Sequence, residues 1–274
     1  MPICSLSGDK FSGFAGGILD DWGIFISAGI GGHKACVGYD INNFFPLWLL
    51  PVQPQPGTPP QDQRRPNLAP AFLSALAQAL GRATTIPHGL PEGVTPEDVL
   101  AYVYAVLHAS SYRQRYAEYL KSDFPRIPLI NQALAPVDTA QAATYFVASW
   151  SALLPLGREL LELHLLKNVP TALRVKFAMQ GSNEVEKPRF ESGRVWINAT
   201  QYFDGVPAET WRFKVGGYAV CEKWLKDRKG RQLDFADIQH YGAVVAALTR
   251  TRELMREIDA VANGKLWPEA ADSL

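Results

Sequence analysis

The sequence predicts an α+β fold, in which a helical middle region follows a small β-rich N-terminal part and precedes a C-terminal antiparallel or mixed sheet covered by helices. Glycine, aromatic and β-branched residues dominate the start of the chain, apolar residues recur at helical spacing in the middle, and apolar and polar residues alternate afterwards. We expect a single module over 1–274 that consists of a β-rich part (1–55), a proline-rich loop (56–66), a helical subdomain (67–167) and a sheet with C-terminal helices (168–274).

The N-terminal part is predicted to contain short strands and turns, because "WGIFISAGIGG" combines β-branched and aromatic residues with glycines. The following "PVQPQPGTPPQDQRRPN" is rich in proline, which lacks a backbone N–H and disrupts both helices and strand ladders. We therefore expect a surface loop between the N-terminal part and the helical subdomain.

Capping residues predict two helix starts in the subdomain. Asn67 can accept a hydrogen bond at the start of a helix that Gly81 ends. Thr95, with Pro96 at the first helical position and Asp98 reaching back, has the pattern of a capping box.

Four further features are expected in the helical subdomain. Ser111 can cap a helix over "YRQRYAEYLKSD", and the two prolines of "FPRIPL" hold residues 124–129 extended. Asp138 is predicted to start a helix through Trp150, and Pro155 is predicted to kink or break it.

The C-terminal part is predicted to begin with strands and to end with helices. Alternation in "ALRVKFAM", "PRFESGRVWIN" and "ETWRFKV" indicates strands, and Ser192–Gly193 suits a hairpin turn. A helix is expected from about Tyr218, and Asp234 is expected to cap a long amphipathic final helix.

Charge and cysteine content exclude several broad classes. The 27 basic residues balance the 27 acidic ones, so any contact with nucleic acid depends on local patches. The three cysteines lack metal-ligand or CxxC spacing and are expected to be reduced thiols. Since no signal peptide is evident and "NFFPLWLLPV" is too short and proline-rich to span a bilayer, we expect a cytoplasmic protein without membrane contact.

Two stretches resemble catalytic motifs of methyltransferases but lack residues that those motifs require. "DKFSGFAGG" resembles the aromatic-x-Gly-x-Gly loop that binds S-adenosylmethionine in methyltransferases, but Ala15 stands at the second glycine position. "TPPQ" at 58–61 lacks the amide acceptor and the stacking aromatic of loops that hold a flipped adenine. The five histidines share no metal-ligand spacing, and no nucleophile is paired with a base. We predict no catalytic, cofactor-binding or metal-binding residue.

Basic residues form two clusters, one between Arg212 and Arg231 and one at 113–126 that is interleaved with tyrosines. Lysine and arginine neutralise phosphates, and arginine can also pair with guanine edges. Composition alone leaves a second interpretation open, in which these residues form a solvated helix face.

Several stretches together resemble the C-terminal specificity region of type ISP restriction–modification enzymes and related adenine-specific DNA methyltransferases. They are "FSGFAGGILDDW", "PLWLLP" at 46–51, "YVYAVLHASSYRQRYAEYLKSDFPRIPL" at 102–129, and the stretch at 195–259 that contains "GGYAVCEKWLKDRKGRQL". They occur in the same order as in the family, and the resemblance spans nearly the whole chain.

The resemblance implies a target recognition domain that binds double-stranded DNA sequence-specifically and performs no chemistry itself. In the family, an upstream module binds S-adenosylmethionine and methylates adenine N6. We therefore expect no cofactor in this chain, and we expect the cofactor on a methyltransferase module in the same or a separate chain. The alternatives are a degenerate S-adenosylmethionine-dependent methyltransferase fragment and a protein-interaction module that packs on a partner subunit.

Within such a domain, the turn from Lys226 to Arg231 is the best candidate for phosphate contacts. The polar residues of "INATQYFDG" are candidates for reading bases, because asparagine and glutamine can pair with adenine edges. For Asn198, strand-end capping is the favoured alternative. The DNA-binding candidates are Arg113, Arg115, Lys121, Arg126, Asn198, Gln201, Tyr202, Lys214, Lys223, Lys226, Arg228, Lys229 and Arg231.

Overall fold

The computed structural model describes residues 13–15, 23–26, 43–51, 57, 63–129, 139–177, 179–215 and 218–267. They combine helices with small antiparallel sheets, which confirms the predicted α+β class. The described residues form two compact units. The first unit contains those of Met1–Ile18, Trp22–Leu161 and Met255–Leu274, and the second contains those of Glu162–Leu254.

The helices of the described residues are concentrated in the middle and at the end of the chain. They are α1 Pro70–Leu80, α2 Pro96–His108, α3 Ser110–Arg115, α4 Ala117–Leu120, α5 Thr139–His164, α6 Ala208–Arg212, α7 Val220–Lys226 and α8 Phe235–Ala262. None of them is long and apolar enough to cross a lipid bilayer.

The strands are short, and every pairing between the described strands is antiparallel. They are β1 Gly13–Ala15, β2 Gly23–Ile24, β3 Asn43–Phe44, β4 Trp48–Leu49, β5 Arg65–Pro66, β6 Thr84–Thr85, β7 Leu90–Pro91, β8 Arg189–Glu191, β9 Arg194–Trp196, β10 Tyr202–Asp204, β11 Lys214–Val215 and β12 Tyr218–Ala219. The two three-stranded sheets have the orders β2-β1-β3 and β10-β9-β8, and β4-β5, β6-β7 and β11-β12 are pairs.

Helix α2 is the central element of the first unit, since nearly all of its residues are buried. It begins with the predicted capping box. The Thr95 hydroxyl accepts a hydrogen bond from the Asp98 N–H at 3.2 Å, and the Asp98 carboxylate accepts one from the Thr95 N–H at 3.0 Å. Asp98 also pairs with Arg158 of α5, so the cap links two helices of this unit.

Two buried tyrosines fix the segment that follows α4. The Tyr102 hydroxyl donates to the Pro128 carbonyl at 2.7 Å, and the Tyr112 hydroxyl donates to the Arg126 carbonyl at 2.9 Å. Burial raises the pKa of both phenols above the ordinary value, so they stay neutral donors. The residues around Arg126 form no helix or strand, in agreement with the prediction from the flanking prolines.

The sequence predicts that Pro155 kinks or breaks the helix. The break is contradicted, because α5 continues through the proline to His164. Proline removes one backbone hydrogen bond from the helix, and the packing of the helix compensates for this loss. Gly157 follows two residues later and is buried directly against α2. A Cβ at this position would lie 2.0 Å from the Ala101 carbonyl oxygen, so only glycine permits this close contact.

The start of α1 also differs from the prediction. The helix begins at Pro70 with Ala69 at the N-cap, and no side chain caps it. Asn67, the predicted cap, instead donates its amide to the Pro46 carbonyl at 2.9 Å. The predicted end at Gly81 is confirmed, with the left-handed φ of 63°.

Two other helix starts are shifted. Ser111 does not cap a helix but lies inside α3, where its hydroxyl donates to the Asp259 carboxylate at 2.6 Å. Tyr218 belongs to strand β12, so the helix expected from about this residue starts at Val220.

The second unit surrounds one apolar core between the β8–β10 sheet and helices α7 and α8. The sheet contributes Val195 and Phe203, and α8 contributes Tyr241 and Val245. The predicted hairpin turn at Ser192–Gly193 is confirmed, since φ is 47° and 80° at the two residues, as a type I′ turn requires.

Candidate nucleic-acid interface

The predicted phosphate-binding segment, Lys226–Arg231, is a tight turn at the end of α7, which we call the basic turn. Two backbone hydrogen bonds join it to a neighbouring extended segment. The Gly230 N–H donates to the Val185 carbonyl at 2.7 Å, and the Val185 N–H donates to the Arg231 carbonyl at 2.9 Å. The basic turn is therefore held in one backbone conformation.

A cluster of three amides, of which Asn198 and Gln201 are buried and Asn183 is half-buried, joins this extended segment to the end of the sheet. The Gln201 side-chain oxygen accepts from the Asn183 backbone N–H at 2.7 Å, and the Gln201 side-chain N–H donates to the Asn183 side-chain oxygen Oδ1 at 2.7 Å. Asn198 donates to Gln201 at 3.0 Å and to the Glu184 carbonyl at 3.0 Å. Asn183 in turn donates to the Leu233 carbonyl at 3.2 Å, just beyond the basic turn. We call Asn183, Asn198 and Gln201 the amide cluster.

Asn198 and Gln201 were two of the candidate base readers, and their placement gives no support to that role. They are only 5% and 0% exposed, and their amides bond inside the protein. Asn198 accepts from the backbone N–H groups of Thr200 and Gln201 at 3.0 and 2.8 Å. This is the strand-end capping that the sequence offered as the alternative for Asn198.

Tyr202, the third candidate base reader, lies on the outer side of the β8–β10 sheet and is half-buried. Its ring contacts the Trp196 ring at a centroid distance of 4.6 Å, and the Arg194 guanidinium lies 4.6 Å above it. Trp196 and Arg194 are not among the residues that the sequence predicted to bind DNA.

Four basic candidates near the basic turn have carboxylate partners. Lys223 pairs with Asp227 and Lys226 pairs with Glu222, each at 2.8 Å and one helical turn apart. Arg228 and Arg231 both contact Asp237. The lysine pairs are exposed, and such pairs contribute about 0.3–0.5 kcal/mol. A phosphate can therefore replace the carboxylate partner of either lysine at little cost.

Arg228 is a structural residue rather than a free cation. Its guanidinium lies 3.5 Å from the centroid of Trp224 and donates to the Trp224 carbonyl at 3.0 Å. Burial alone would raise the pKa of Asp237, but the Asp234 N–H and the guanidinium groups of Arg231 and Arg228 outweigh it and hold the pKa of this carboxyl below its ordinary value. The carboxylate thus stays charged and ties the basic turn to the first turn of α8.

Asp234 caps α8 as predicted, since its carboxylate accepts from the Asp237 N–H at 2.7 Å. The Asp234 N–H approaches the Asp237 carboxylate at 3.4 Å, which completes a capping box. Asp237 therefore takes part in the capping box with its backbone N–H and its carboxylate, and the same carboxylate pairs with Arg228 and Arg231 of the basic turn.

Lys214 and Lys229 are exposed and have no carboxylate partner within the part of the chain that the structure describes. Lys214 lies in β11, and Lys229 lies at the tip of the basic turn. Because neither charge is compensated by an acid, these two lysines are the most available to a phosphate.

The other four candidates lie in the first unit. Arg113 donates to the Leu107 carbonyl at 2.7 Å, near the end of α2. Lys121 pairs with Glu118 at 2.7 Å, and Arg126 pairs with Asp123 at 3.5 Å. Arg115 and Arg126 are exposed, and the backbone of Arg126 is fixed by Tyr112.

The enzyme-like stretches fall mostly outside the described residues. Of "DKFSGFAGG", only Gly13–Ala15 is described, and "TPPQ" at 58–61 is not. In the described ranges, no group of three or more histidine, cysteine, aspartate or glutamate residues is placed to hold a metal ion. Cys221 is buried, which raises the pKa of its thiol to about 12 and leaves it unreactive.

Sequence reasoning missed Arg189, Arg194 and Trp196, which share the outer side of the sheet with Tyr202. The signal was present in "PRFESGRVW", where alternate residues must point to the same side of a strand. The pairing of the strands, which brings these alternate residues together, required the structure.

Comparison with known proteins agrees with this architecture. The model of the Type ISP C-terminal specificity domain family matches residues 16–257. No curated protein matches the sequence.

Three solved structures are similar in fold. The first is a nuclease-deletion mutant of the Type ISP restriction-modification enzyme LlaGI in complex with a DNA substrate mimic, with 21% identity and a TM-score of 0.58 over 90% of this chain and 21% of that one. The second is the ATP-dependent Type ISP restriction-modification enzyme LlaBIII bound to DNA, with 16% identity and a TM-score of 0.62 over 92% of this chain and 16% of that one. The third is the DrdV–DNA complex, with 19% identity and a TM-score of 0.60 over 90% of this chain and 24% of that one. The chain spans a quarter or less of the length of each of these proteins. Because the family match covers most of the sequence, the chain belongs to the Type ISP C-terminal specificity domain family.

Proposed function

We propose that this chain is the target recognition module of an adenine-N6 DNA methyltransferase or restriction–modification system, and that it binds double-stranded DNA sequence-specifically. The observation that carries the proposal is the basic turn, whose exposed lysines are presented from a backbone that is hydrogen-bonded to the extended segment at Val185. Family membership and the DNA-bound state of the three similar enzymes support it.

Lysines at fixed positions suit contact with the DNA backbone. Phosphate contacts set the position of a protein on the duplex and carry no sequence information. Lys226 and Lys229 serve this role in the basic turn, with Lys214 of β11 as a further contact. Arg228 acts through the conformation of the turn, because its guanidinium is occupied by Trp224 and Asp237.

Methyl transfer takes place on a different module in this proposal. The similar enzymes are about four to six times longer than the aligned region, so they contain other parts that can perform the chemistry. The partner of this chain is a methyltransferase module, in the same or a separate polypeptide, which binds S-adenosylmethionine. The chain itself contributes recognition and no catalytic group.

The salt dependence of DNA binding tests the role of the basic turn. Replacing both Lys226 and Lys229 with alanine removes two phosphate contacts, so the slope of log K against log [salt] becomes shallower by about two units. Fluorescence anisotropy with a labelled duplex at several salt concentrations measures the slope. Arg228 and Arg231 are left unchanged, since their loss would free Asp237 and disturb the turn.

The matched control is Lys167→Ala with Lys265→Ala, which removes the same charge from exposed positions outside the basic turn. It should leave the slope unchanged. A variant of Lys226 and Lys229 with the wild-type slope would show that the basic turn does not contact DNA. Absence of DNA binding by the unchanged chain would favour a protein-interaction module.

A further inference from the structure

The outer side of the β8–β10 sheet carries an ordered set of side chains. In the antiparallel register, Arg189 pairs with Trp196 and Trp196 with Tyr202, while Glu191 pairs with Arg194 and Arg194 with Asp204. Directly paired residues point to the same side of a sheet. We call this side the mixed face, and its residues are Arg189, Glu191, Arg194, Trp196, Tyr202 and Asp204.

The intervening residues fix the orientation of the sheet. Val195 and Phe203 are 0% exposed and belong to the core of the second unit, together with the partly buried Phe190. The opposite side is therefore directed to solvent. All four of its charged residues are exposed, and its two aromatic rings are half-buried beneath them.

Both arginines of the mixed face are held by an aromatic ring. The Arg189 guanidinium lies 4.8 Å from the centroid of Trp196, and that of Arg194 lies 4.6 Å from the centroid of Tyr202. An arginine stacked in this way has already lost part of its side-chain freedom, so less entropy is lost when it binds a ligand.

Arg189 keeps most of its hydrogen-bonding capacity. One N–H donates to the Asn198 carbonyl at 3.4 Å, and no carboxylate is paired with it within the described ranges. Arg194, in contrast, is paired with Asp204 at 3.2 Å. Arg189 is thus the residue of this face that can offer a planar pair of donors to a ligand.

The charge of the mixed face distinguishes it from a phosphate site. Two arginines stand beside Glu191 and Asp204, so the face is neutral as a whole and the carboxylates repel a phosphate backbone. Base edges in the major groove, however, present both acceptors and donors. Arginine pairs with guanine O6 and N7, and carboxylates accept from cytosine N4. A mixture of these residue types suits base edges better than phosphates.

The mixed face is connected to the basic turn through the amide cluster. Arg189 bonds the Asn198 carbonyl, Asn198 bonds the Glu184 carbonyl, and Asn183 bonds the Leu233 carbonyl. Within the second unit, a phosphate contact at the basic turn can therefore set the position of the sheet.

We propose that the mixed face is the base-reading surface of the second unit and that Arg189 donates two hydrogen bonds to O6 and N7 of a guanine in the major groove. The proposal rests on the proposed function, because it assumes that the chain binds duplex DNA. It adds a division of roles, in which the basic turn contacts phosphates and the sheet contacts bases. Short antiparallel strands are known to read bases in the major groove.

The test starts with selection of the preferred site of the unchanged chain from a random duplex pool. Arg189→Ala and Arg189→Lys are then compared on the selected site and on unselected duplex at one salt concentration. Because a bidentate arginine–guanine pair contributes about 1–3 kcal/mol, Arg189→Ala should weaken binding to the selected site roughly 5- to 150-fold and leave binding to unselected duplex within about twofold. Arg189→Lys keeps the charge but lacks the planar pair of donors, so it should lose most of the same affinity.

Replacing each guanine of the site by 7-deazaguanine identifies the partner base. At one position, 7-deazaguanine should lower the affinity of the unchanged chain for the site. At the same position it should not lower the affinity of the Arg189→Ala variant any further. Arg174→Ala is the control, because Arg174 is exposed, contacts Gln239 and lies outside the sheet. Thermal unfolding of each variant should match that of the unchanged chain.

The outcomes separate the two proposals. If Arg189→Ala weakens binding equally for all duplexes and flattens the salt dependence, Arg189 contacts phosphate and the base-reading proposal is wrong, while the proposed function stands. If Arg189→Ala binds the selected site as tightly as the unchanged chain does, the proposal that the mixed face reads bases is also wrong. If the unchanged chain selects no site and binds no duplex, both proposals fail.

Discussion

The side chains of Asn198 and Gln201 carry the amide chemistry that pairs with adenine edges, yet their amides are occupied inside the protein. An asparagine or glutamine side chain suits both base reading and hydrogen bonding inside the protein, and the burial of these two side chains favours the second role. Gln201, at 0% exposure, bonds Asn183 twice and the Met179 carbonyl once. We infer that it holds the segment next to the basic turn.

Gln201→Ala should therefore lower the stability of the protein. The substitution leaves the Asn183 N–H and the Met179 carbonyl without their partner, which costs about 3 kcal/mol in the free energy of unfolding. Urea denaturation followed by circular dichroism measures the change. The exposed neighbour Thr200 provides the control, since Thr200→Ala should change stability by less than about 1 kcal/mol. If Gln201→Ala kept its stability but lost affinity for DNA, a role in base reading would be restored.

Capping residues were predictable where the local sequence supplied both partners. Thr95 and Asp98 stand three residues apart, as do Asp234 and Asp237, and each pair bonds within its own helical turn. Asn67 has the chemistry of a cap but bonds Pro46, which lies far away in the sequence. A tertiary partner of this kind leaves no local pattern, so the prediction failed there.

Among the elements, helix α5 shows how tertiary packing overrides a local rule. Pro155 predicts a kink or a break, but the helix is not interrupted there and is held on both sides by buried residues such as Trp150, Leu153 and Leu160. The contact between Gly157 and Ala101 lies in the same region of the helix. Sequence reasoning identified the helical segments and their apolar faces, whereas the continuity of α5 depends on contacts with another element.

Gly157→Ala should destabilise the first unit strongly. The added Cβ would lie 2.0 Å from the backbone oxygen of Ala101, so two helices must separate. Overpacking of a core typically costs about 1–3 kcal/mol, and this contact with rigid backbone belongs at the upper end. Thermal and urea denaturation give the change.

Gly242 in α8 is the matched control for this substitution. Its added Cβ would meet only a Val175 methyl at 3.9 Å, an ordinary contact. Because alanine is favoured over glycine inside a helix, Gly242→Ala should raise stability by about 0.5–1 kcal/mol. Equal effects of the two substitutions would show that the close approach of α5 and α2 is absent in solution.

At the scale of the whole molecule, a net charge of zero coexists with local positive surfaces. Many basic residues are paired with acids, as Lys223, Lys226 and Arg231 are, so total charge conceals which cations are available. The sequence shows where the two basic clusters lie along the chain. It did not separate Lys229, which has no acidic partner in the described ranges, from Arg228, which is occupied by Trp224 and Asp237. That distinction depends on contacts made across elements.

The two basic clusters belong to different compact units, so the contribution of each unit to DNA binding is tested separately. Arg115→Ala with Arg126→Ala removes two exposed cations from the first unit. If each contacts a phosphate, the slope of log K against log [salt] should become shallower by about two units, as expected for the variant of Lys226 and Lys229. The combined fourfold variant should show the sum of both changes, because contacts in separate units are independent.

Arg82→Ala with Lys265→Ala is the control: it removes an equal charge from the first unit and should keep the wild-type slope. An unchanged slope for the variant of Arg115 and Arg126 would show that these two residues of the first unit do not contact phosphates.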